Sequence, residues 1–167
     1  MIKKLYPKEY HPSVFSINYD ELYDMGMRNI IFDIDNTLVT YNILAPTEEV
    51  ISLFAGVKER GFSICILSNN SEKRVGDFSL PLDVKFVHKA GKPGTKGALR
   101  ALEFLKASPS NTAIIGDQIF TDVWCGNQLG IYTILVEPVS RTQDELITKV
   151  KRGAEAFVVR RYLAGRK

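Results

Sequence analysis

Apolar residues fall along the chain in short runs, and each of the first four gives way to polar side chains. Ile30–Ile31–Phe32 leads to Asp33, Asp35, Asn36 and Thr37, and Phe62 to Leu67 ends in Ser68–Asn69–Asn70. Val84 to Val87 ends at His88 and Lys89, with Lys92–Pro93 one loop further on; Thr112 to Ile115 ends in Gly116–Asp117; Ile131 to Val136 completes the series. Runs this apolar, rich in β-branched and aromatic residues, read as strands buried on both faces. Between them the period changes. Val50, Leu53, Phe54 and Val57 recur at helical spacing, which predicts a helix opened by Pro46 at its first position, with Glu48 and Glu49 in the first turn and Gly61 at the end. Further helices are predicted near Asp20 to Met25, stopped by Gly26, and through Val75, capped by Ser71 or Ser68 and broken by Leu80–Pro81–Leu82. Three more follow: Lys96 to Lys106, burying Leu99, Leu102 and Leu105; Thr121 to Leu129, closed by Gly130; and Gln143 to Leu163, with Leu146, Val150, Phe157, Val158 and Leu163 as its apolar side. Residues 1–28 read as a mixed segment whose aromatic side chains pack on the rest.

Alternation of buried strands with helices predicts an α/β fold: a central parallel sheet with helices on both faces, three-layered and Rossmann-like. The expectation is a single domain over 1–167, with its core at about 28–137 and the N-terminal and basic C-terminal segments packed on it. In such a sheet ligands bind beyond the carboxyl ends of the strands. Asp33, Asp35, Ser68, Asn69, Lys92, Asp117 and Asp122 all stand at or just past such ends, so four separate segments converge on one edge.

Composition changes this picture little. The 167 residues are 45% hydrophobic and 25% charged, an ordinary balance for a globular protein. No apolar run approaches the length of a membrane span, and the first residues do not form a signal-peptide core, so a cytoplasmic location is expected. Cys65 and Cys125 lack metal-ligand spacing and read as small core residues. The net charge of +3 is unevenly spread: from Thr148 to Lys167 seven basic residues face the single acid Glu155, a net of +6, and the remainder carries −3.

The convergent side chains define a chemistry. A charge at the tip of a doubly buried strand needs a partner, which a metal ion or a substrate supplies. Carboxylates without His or Cys suit a hard cation, and few protein ligands suit Mg²⁺; the expected metal set is Asp33, the backbone carbonyl of Asp35, and Asp117. A lysine and a hydroxyl among acids fit a phosphoryl group, whose charge the metal and Lys92 would share. With no His or Cys placed as nucleophile, an aspartate remains. Asp33 is the better candidate, and Asp35 would protonate the leaving alcohol and then activate water. Asn36 tolerates a left-handed turn, and Thr37 is expected to bond back to its own loop in support.

In order and spacing, DIDNT at 33–37, ILSNN at 66–70, KP at 92–93 and GDQIFTD at 116–122 resemble the four motifs of the haloacid dehalogenase-like (HAD) hydrolases. The resemblance covers about Ile30 to Val136. It implies Asp33 as nucleophile, Asp35 as acid/base, Ser68 and Asn69 as holders of the phosphoryl oxygens, and Lys92 as the residue steadying nucleophile and phosphate. Asp117 would be a metal ligand and Asp122 a support for the metal site or for Lys92. Lys92 is preferred to Lys89 and Lys96 because it precedes proline in a loop, as in the family. An acid at position 35 is what phosphatase members carry. Cap domains of this family enter after the first motif or between the second and third, and neither interval has room for one, so an uncapped, open site is expected.

The N-terminal segment and the basic C-terminal helix are similar to the YqeG-like branch of subfamily IIIA, itself similar to the mitochondrial phosphatidylglycerophosphatases. That resemblance implies phosphatidylglycerophosphate as substrate in anionic phospholipid synthesis. Lys149 to Lys167, with Phe157, Val158, Val159 and Leu163, would then rest on the inner face of an anionic membrane; a helix packed on the sheet with a solvated basic face is the competing reading. Three other functions stand beside this one: a phosphatase of soluble metabolites or phosphoproteins, a nucleic-acid-end phosphatase, and a receiver-like binding module phosphorylated on aspartate. No aromatic and basic single-strand platform supports a nucleic-acid partner.

Overall fold

The computed structural model describes the backbone of residues 2–140 and 146–165 and the side chains of 4–140 and 153–165. Six parallel strands form one sheet: β1 (Glu9–His11), β2 (Asn29–Phe32), β3 (Ser63–Leu67), β4 (Lys85–Val87), β5 (Thr112–Gly116) and β6 (Tyr132–Val136), in the order β1-β6-β5-β2-β3-β4. The chain winds one way from β2 through β3 to β4 and then crosses to β5 and β6. The order therefore reverses between β2 and β5, where Phe32 lies opposite Ile115. A crevice opens at such a switch point.

Alternation along the strands sorts the core onto two faces. Ile30, Phe32, Ile64, Ile66 and Ile115 pack with α2 (Glu48–Glu59) and α3 (Glu72–Ser79), and α1 (Tyr19–Asp24) covers the same side. On that side the Phe32 and Phe54 rings lie 4.9 Å apart. Ile31, Cys65, Leu67 and Ile114 face α4 (Lys96–Leu105) and α5 (Trp124–Leu129). Burial raises the thiols of Cys65 and Cys125 to about 12 and about 11, as befits core residues. Among the described residues no further domain interrupts the sheet and its helices, and no helix is long and apolar enough to cross a membrane.

Several elements differ from their sequence-based outlines. β1 was not expected. Its three residues are neither apolar nor deeply buried, and they join the sheet edge through backbone pairing with β6 and through Tyr132 Oη donating to Glu9 at 2.7 Å. Helix α2 begins at Glu48, with Thr47 rather than Pro46 setting its start: the Thr47 hydroxyl accepts from Val50 N. In α4, Ala98, Ala101 and Leu102 are buried while Leu99 is half exposed. The small face turns inward because the helix lies tight on the preceding loop, where a Cβ on Gly97 would come within 2.5 Å of Ala90 O. The last helix, α6 (Leu146–Ala164), buries Glu155, Val158 and Tyr162, and leaves Phe157 and Leu163 exposed. Residues 155, 158 and 162 share a stripe that 157 and 163 do not. The expected helix start at Gln143 and the side chains of Leu146 and Val150 lie outside the described residues.

Candidate active site

β2 stops at Phe32, and the next residue, Asp33, still donates its backbone N–H to Ile115 O across the switch point. The chain then turns through Asn36, whose φ of +61° is the left-handed conformation that asparagine tolerates. Both acids precede this turn, and their surroundings differ. Asp33 is buried and faces inward, and Asp35 keeps a partly open side chain.

Asp33, Asp117 and Asp122 are all buried and bring one carboxylate oxygen each within 4.8 Å of one another. Asp117 follows the last residue of β5, and Thr37 Oγ1 donates to it at 3.2 Å. Thr37 thus supports the neighbouring strand end rather than its own loop. Asp122 rides on a single π-helical turn, Ile119–Val123, a geometry frequent at functional sites. Its approach requires Gly116, where a Cβ would fall 2.2 Å from Asp122 Cγ. Gln118 N and Thr121 Oγ1 bond Asp122 Oδ2 and fix the carboxylate.

Lys92 sits opposite this group. Its Nζ donates to Asp33 Oδ1 at 2.8 Å, Asp122 Oδ1 at 2.5 Å and Leu67 O at 3.0 Å, which uses all three ammonium protons. Lys89 and Lys96 are exposed. Burial alone would lower the Lys92 pKa, but Asp122 and Asp33 overrule it and hold the amine above its usual range. Asp33 is raised to about 8, first by burial and then by Asp122 and Asp117, against the pull of Lys92. With all three ionised, as cation binding requires, these acids against one lysine leave an excess of two negative charges in a buried space. An oxygen-only donor set with that excess fits a hard divalent cation such as Mg²⁺. Asp122 belongs to this carboxylate group, which is more than the support expected of it, and the Asp35 side chain does not.

The loop after β3 completes the site. Ser68 is buried; its Oγ accepts from Asn70 N at 3.2 Å, and no described residue accepts its proton. The Asn69 side chain exchanges two hydrogen bonds with the backbone of Lys92. Two residues escaped the sequence reading. Asn70 Nδ2 donates to Asp35 Oδ2 at 3.3 Å, and Arg74 Nη2 donates to Asp35 Oδ1 at 2.9 Å. The Arg74 side chain is only 8% exposed, and its Nε and Nη1 are buried without a partner among the described residues. An unpaired buried donor costs roughly 1–3 kcal/mol, and more when charged. A signal for Arg74 did exist. Ser71 caps α3, which puts Arg74 in the first turn, where a cation opposes the helix dipole unless an acid faces it.

Residues 89–162 match the HAD-hydrolase-like family model. The chain is 39% identical to "Probable phosphatase YqeG" of Bacillus subtilis, over 95% of this chain and 92% of that protein. It is 27% identical to phosphatidylglycerophosphate phosphatase 1 (chloroplastic/mitochondrial) of Arabidopsis thaliana, over 88% of this chain but only 45% of that longer protein. Among solved structures, NagD of E. coli K-12 superposes with a TM-score of 0.55 at 14% identity, over 74% of this chain and 91% of NagD, a likeness of fold. With four motifs at the strand ends and a relative matched over nearly its whole length, the chain belongs to the haloacid dehalogenase-like hydrolases.

Proposed function

We propose that the chain is a Mg²⁺-dependent phosphomonoesterase that works through an aspartyl-phosphate on Asp33. The observation that carries this reading is the buried group of Asp33, Asp117 and Asp122 with Lys92 bonded to two of its members. Bound there, Mg²⁺ would neutralise the excess charge and polarise a phosphoryl oxygen. Asp33 attacks phosphorus as the bond to the leaving oxygen breaks, and Asp35 gives that oxygen its proton. Water then attacks the phospho-aspartate, Asp35 takes a proton from it, and Asp33 is released with inorganic phosphate. Ser68 has a proton to offer the phosphoryl oxygens, and Lys92 holds Asp33 in line. Membership of a hydrolase family displaces the receiver-like reading.

For the substrate, we infer a phosphorylated lipid headgroup, phosphatidylglycerophosphate. Similarity to the Arabidopsis phosphatase supports it, as does the outer face of α6, where Phe157 and Leu163 are exposed beside Arg160 and Arg161. Apolar and cationic side chains on one helix face suit an anionic membrane surface. The purified chain is expected to hydrolyse p-nitrophenyl phosphate only with Mg²⁺, and Asp33→Asn to abolish the activity; full activity in that variant refutes the nucleophile. Release of phosphate from phosphatidylglycerophosphate in mixed micelles tests the lipid. Failure there, with turnover of a sugar phosphate, redirects the assignment to soluble metabolites.

A further inference from the structure

Among the described residues Arg74 is a buried cation for which the scheme above has no role. It joins α3 to the first motif through a single bond, Nη2 to Asp35 Oδ1 at 2.9 Å, and its guanidinium lies 5.4 Å from the centre of the Phe78 ring. Asp35 Oδ2 is met by Asn70 Nδ2 at 3.3 Å. The Asn70 amide is itself oriented, since Ser71 N donates to Asn70 Oδ1 at 2.8 Å and so turns the NH₂ end toward Asp35. Lys89 N on Asn70 O and Asn70 N on Ser68 Oγ tie the same residue to the proposed phosphate-binding loop. Each oxygen of Asp35 therefore has one donor from the loop and helix after β3.

The hold is one-sided by construction. A bidentate guanidinium would grip both carboxylate oxygens, whereas here one nitrogen of Arg74 engages one oxygen and the other two have no partner among the described residues. Asp35 is held at Oδ1 by Arg74 and at Oδ2 by Asn70. The Asp35 side chain is bonded to Arg74 and Asn70 and is not a member of the group of Asp33, Asp117 and Asp122.

We propose that Arg74, assisted by Asn70, is a positioning residue that aims the Asp35 carboxyl at the leaving oxygen of the substrate. The role rests on the reading of Asp35 as acid/base. In the step concerned, the phosphorus–oxygen bond to the leaving group breaks, the Asp35 O–H bond breaks with it, and the proton passes to the leaving oxygen. Arg74 keeps all its protons.

Leaving-group dependence separates this role from a structural one. The p-nitrophenolate of p-nitrophenyl phosphate departs without a proton, and the alkoxide of benzyl phosphate does not, although the two substrates are similar in size. Their kcat/KM values report formation of the phospho-enzyme. For the full chain with Mg²⁺, Arg74→Met is expected to lower kcat/KM about 100-fold for benzyl phosphate and less than about 5-fold for p-nitrophenyl phosphate. Arg74→Lys should recover part of the benzyl loss, and Asn70→Ala should shift the ratio in the same direction, which carries the test if Arg74→Met does not fold. Equal losses on both substrates, or none, overturn the proposal. Asp35→Asn run in parallel tells the two readings apart. Discrimination in Asp35→Asn without discrimination in the Arg74 and Asn70 variants refutes the positioning role and leaves the acid/base standing. No discrimination in Asp35→Asn removes the acid/base and the role of Arg74 together.

Discussion

Asn69 and Lys92, 23 positions apart, are joined like a base pair: Asn69 Nδ2 donates to Lys92 O at 3.0 Å, and Lys92 N donates to Asn69 Oδ1 at 2.8 Å. The bonds fix the backbone from which the buried ammonium reaches Asp33. Two neutral hydrogen bonds contribute about 1–3 kcal/mol net, so Asn69→Ala should lower the unfolding free energy by that amount. Asn69→Asp should do worse, because a carboxylate oxygen then faces the carbonyl of Lys92. Urea unfolding measures both, and an Asp variant as stable as wild type contradicts the pairing.

Gly116 is set by what lies against it rather than by its own torsions. A Cβ there would overlap Asp122, at 2.2 Å from Cγ and 2.4 Å from Oδ2. Gly116→Ala must push Asp122 away from Lys92 and the other acids. Overpacking of this kind costs about 1–3 kcal/mol, and the loss of Mg²⁺ affinity should exceed what that destabilisation explains. Calorimetric titration of the folded variant with Mg²⁺ is the check; wild-type affinity would mean that Asp122 has no part in the metal site.

Lys92 balances two buried carboxylates, Asp33 and Asp122. Removing one partner from such a group leaves uncompensated charge, so Lys92→Met should destabilise the metal-free chain by roughly 3–5 kcal/mol. Mg²⁺ should restore part of the stability without restoring turnover, since the cation replaces charge but not the hydrogen bonds to Asp33 and Leu67 O. Thermal melts with and without Mg²⁺, paired with phosphate release, separate the two. Recovery of activity by Mg²⁺ alone would reduce Lys92 to a charge.

The strand-end motifs were legible because each combines an apolar run with a polar break, two signals that agree. Asp33, Lys92 and Asp117 lie where that pattern puts them, and Asp122 goes further by entering the acid group itself. β1 was hidden because Glu9–Tyr10–His11 has no apolar run; its place depends on a sheet edge that exists only after β6 has formed. Asn70 and Arg74 were hidden for a related reason. Their partner is Asp35, 35 and 39 residues away, and on the sequence an arginine in EKR reads as a solvated helix face. In α6 apolar content alone points Phe157 and Leu163 inward, whereas the stripe that packs is that of Glu155, Val158 and Tyr162, and Glu155 Oε1 accepts from Phe120 N at 3.1 Å.

Asp33 links pH, metal and stability with a sign that can be worked out. Its folded pKa of about 8 stands above the ordinary 3.8 because burial and two neighbouring acids disfavour the charged form. A raised folded value means that the native state holds the proton more tightly than the unfolded chain. The contribution of this group to stability is therefore complete below about pH 4, and it declines as pH rises through the window up to about 8. Mg²⁺ binds the carboxylate and not the acid, so its stabilising effect should grow over the same window. Melting temperatures of the metal-free chain and of the chain in excess Mg²⁺, recorded at pH 5 and pH 8, should differ more at pH 8. In Asp33→Asn, which cannot ionise at that position, the growth should shrink. A Mg²⁺ shift independent of pH, or one unaltered in Asp33→Asn, would place the cation elsewhere than against Asp33.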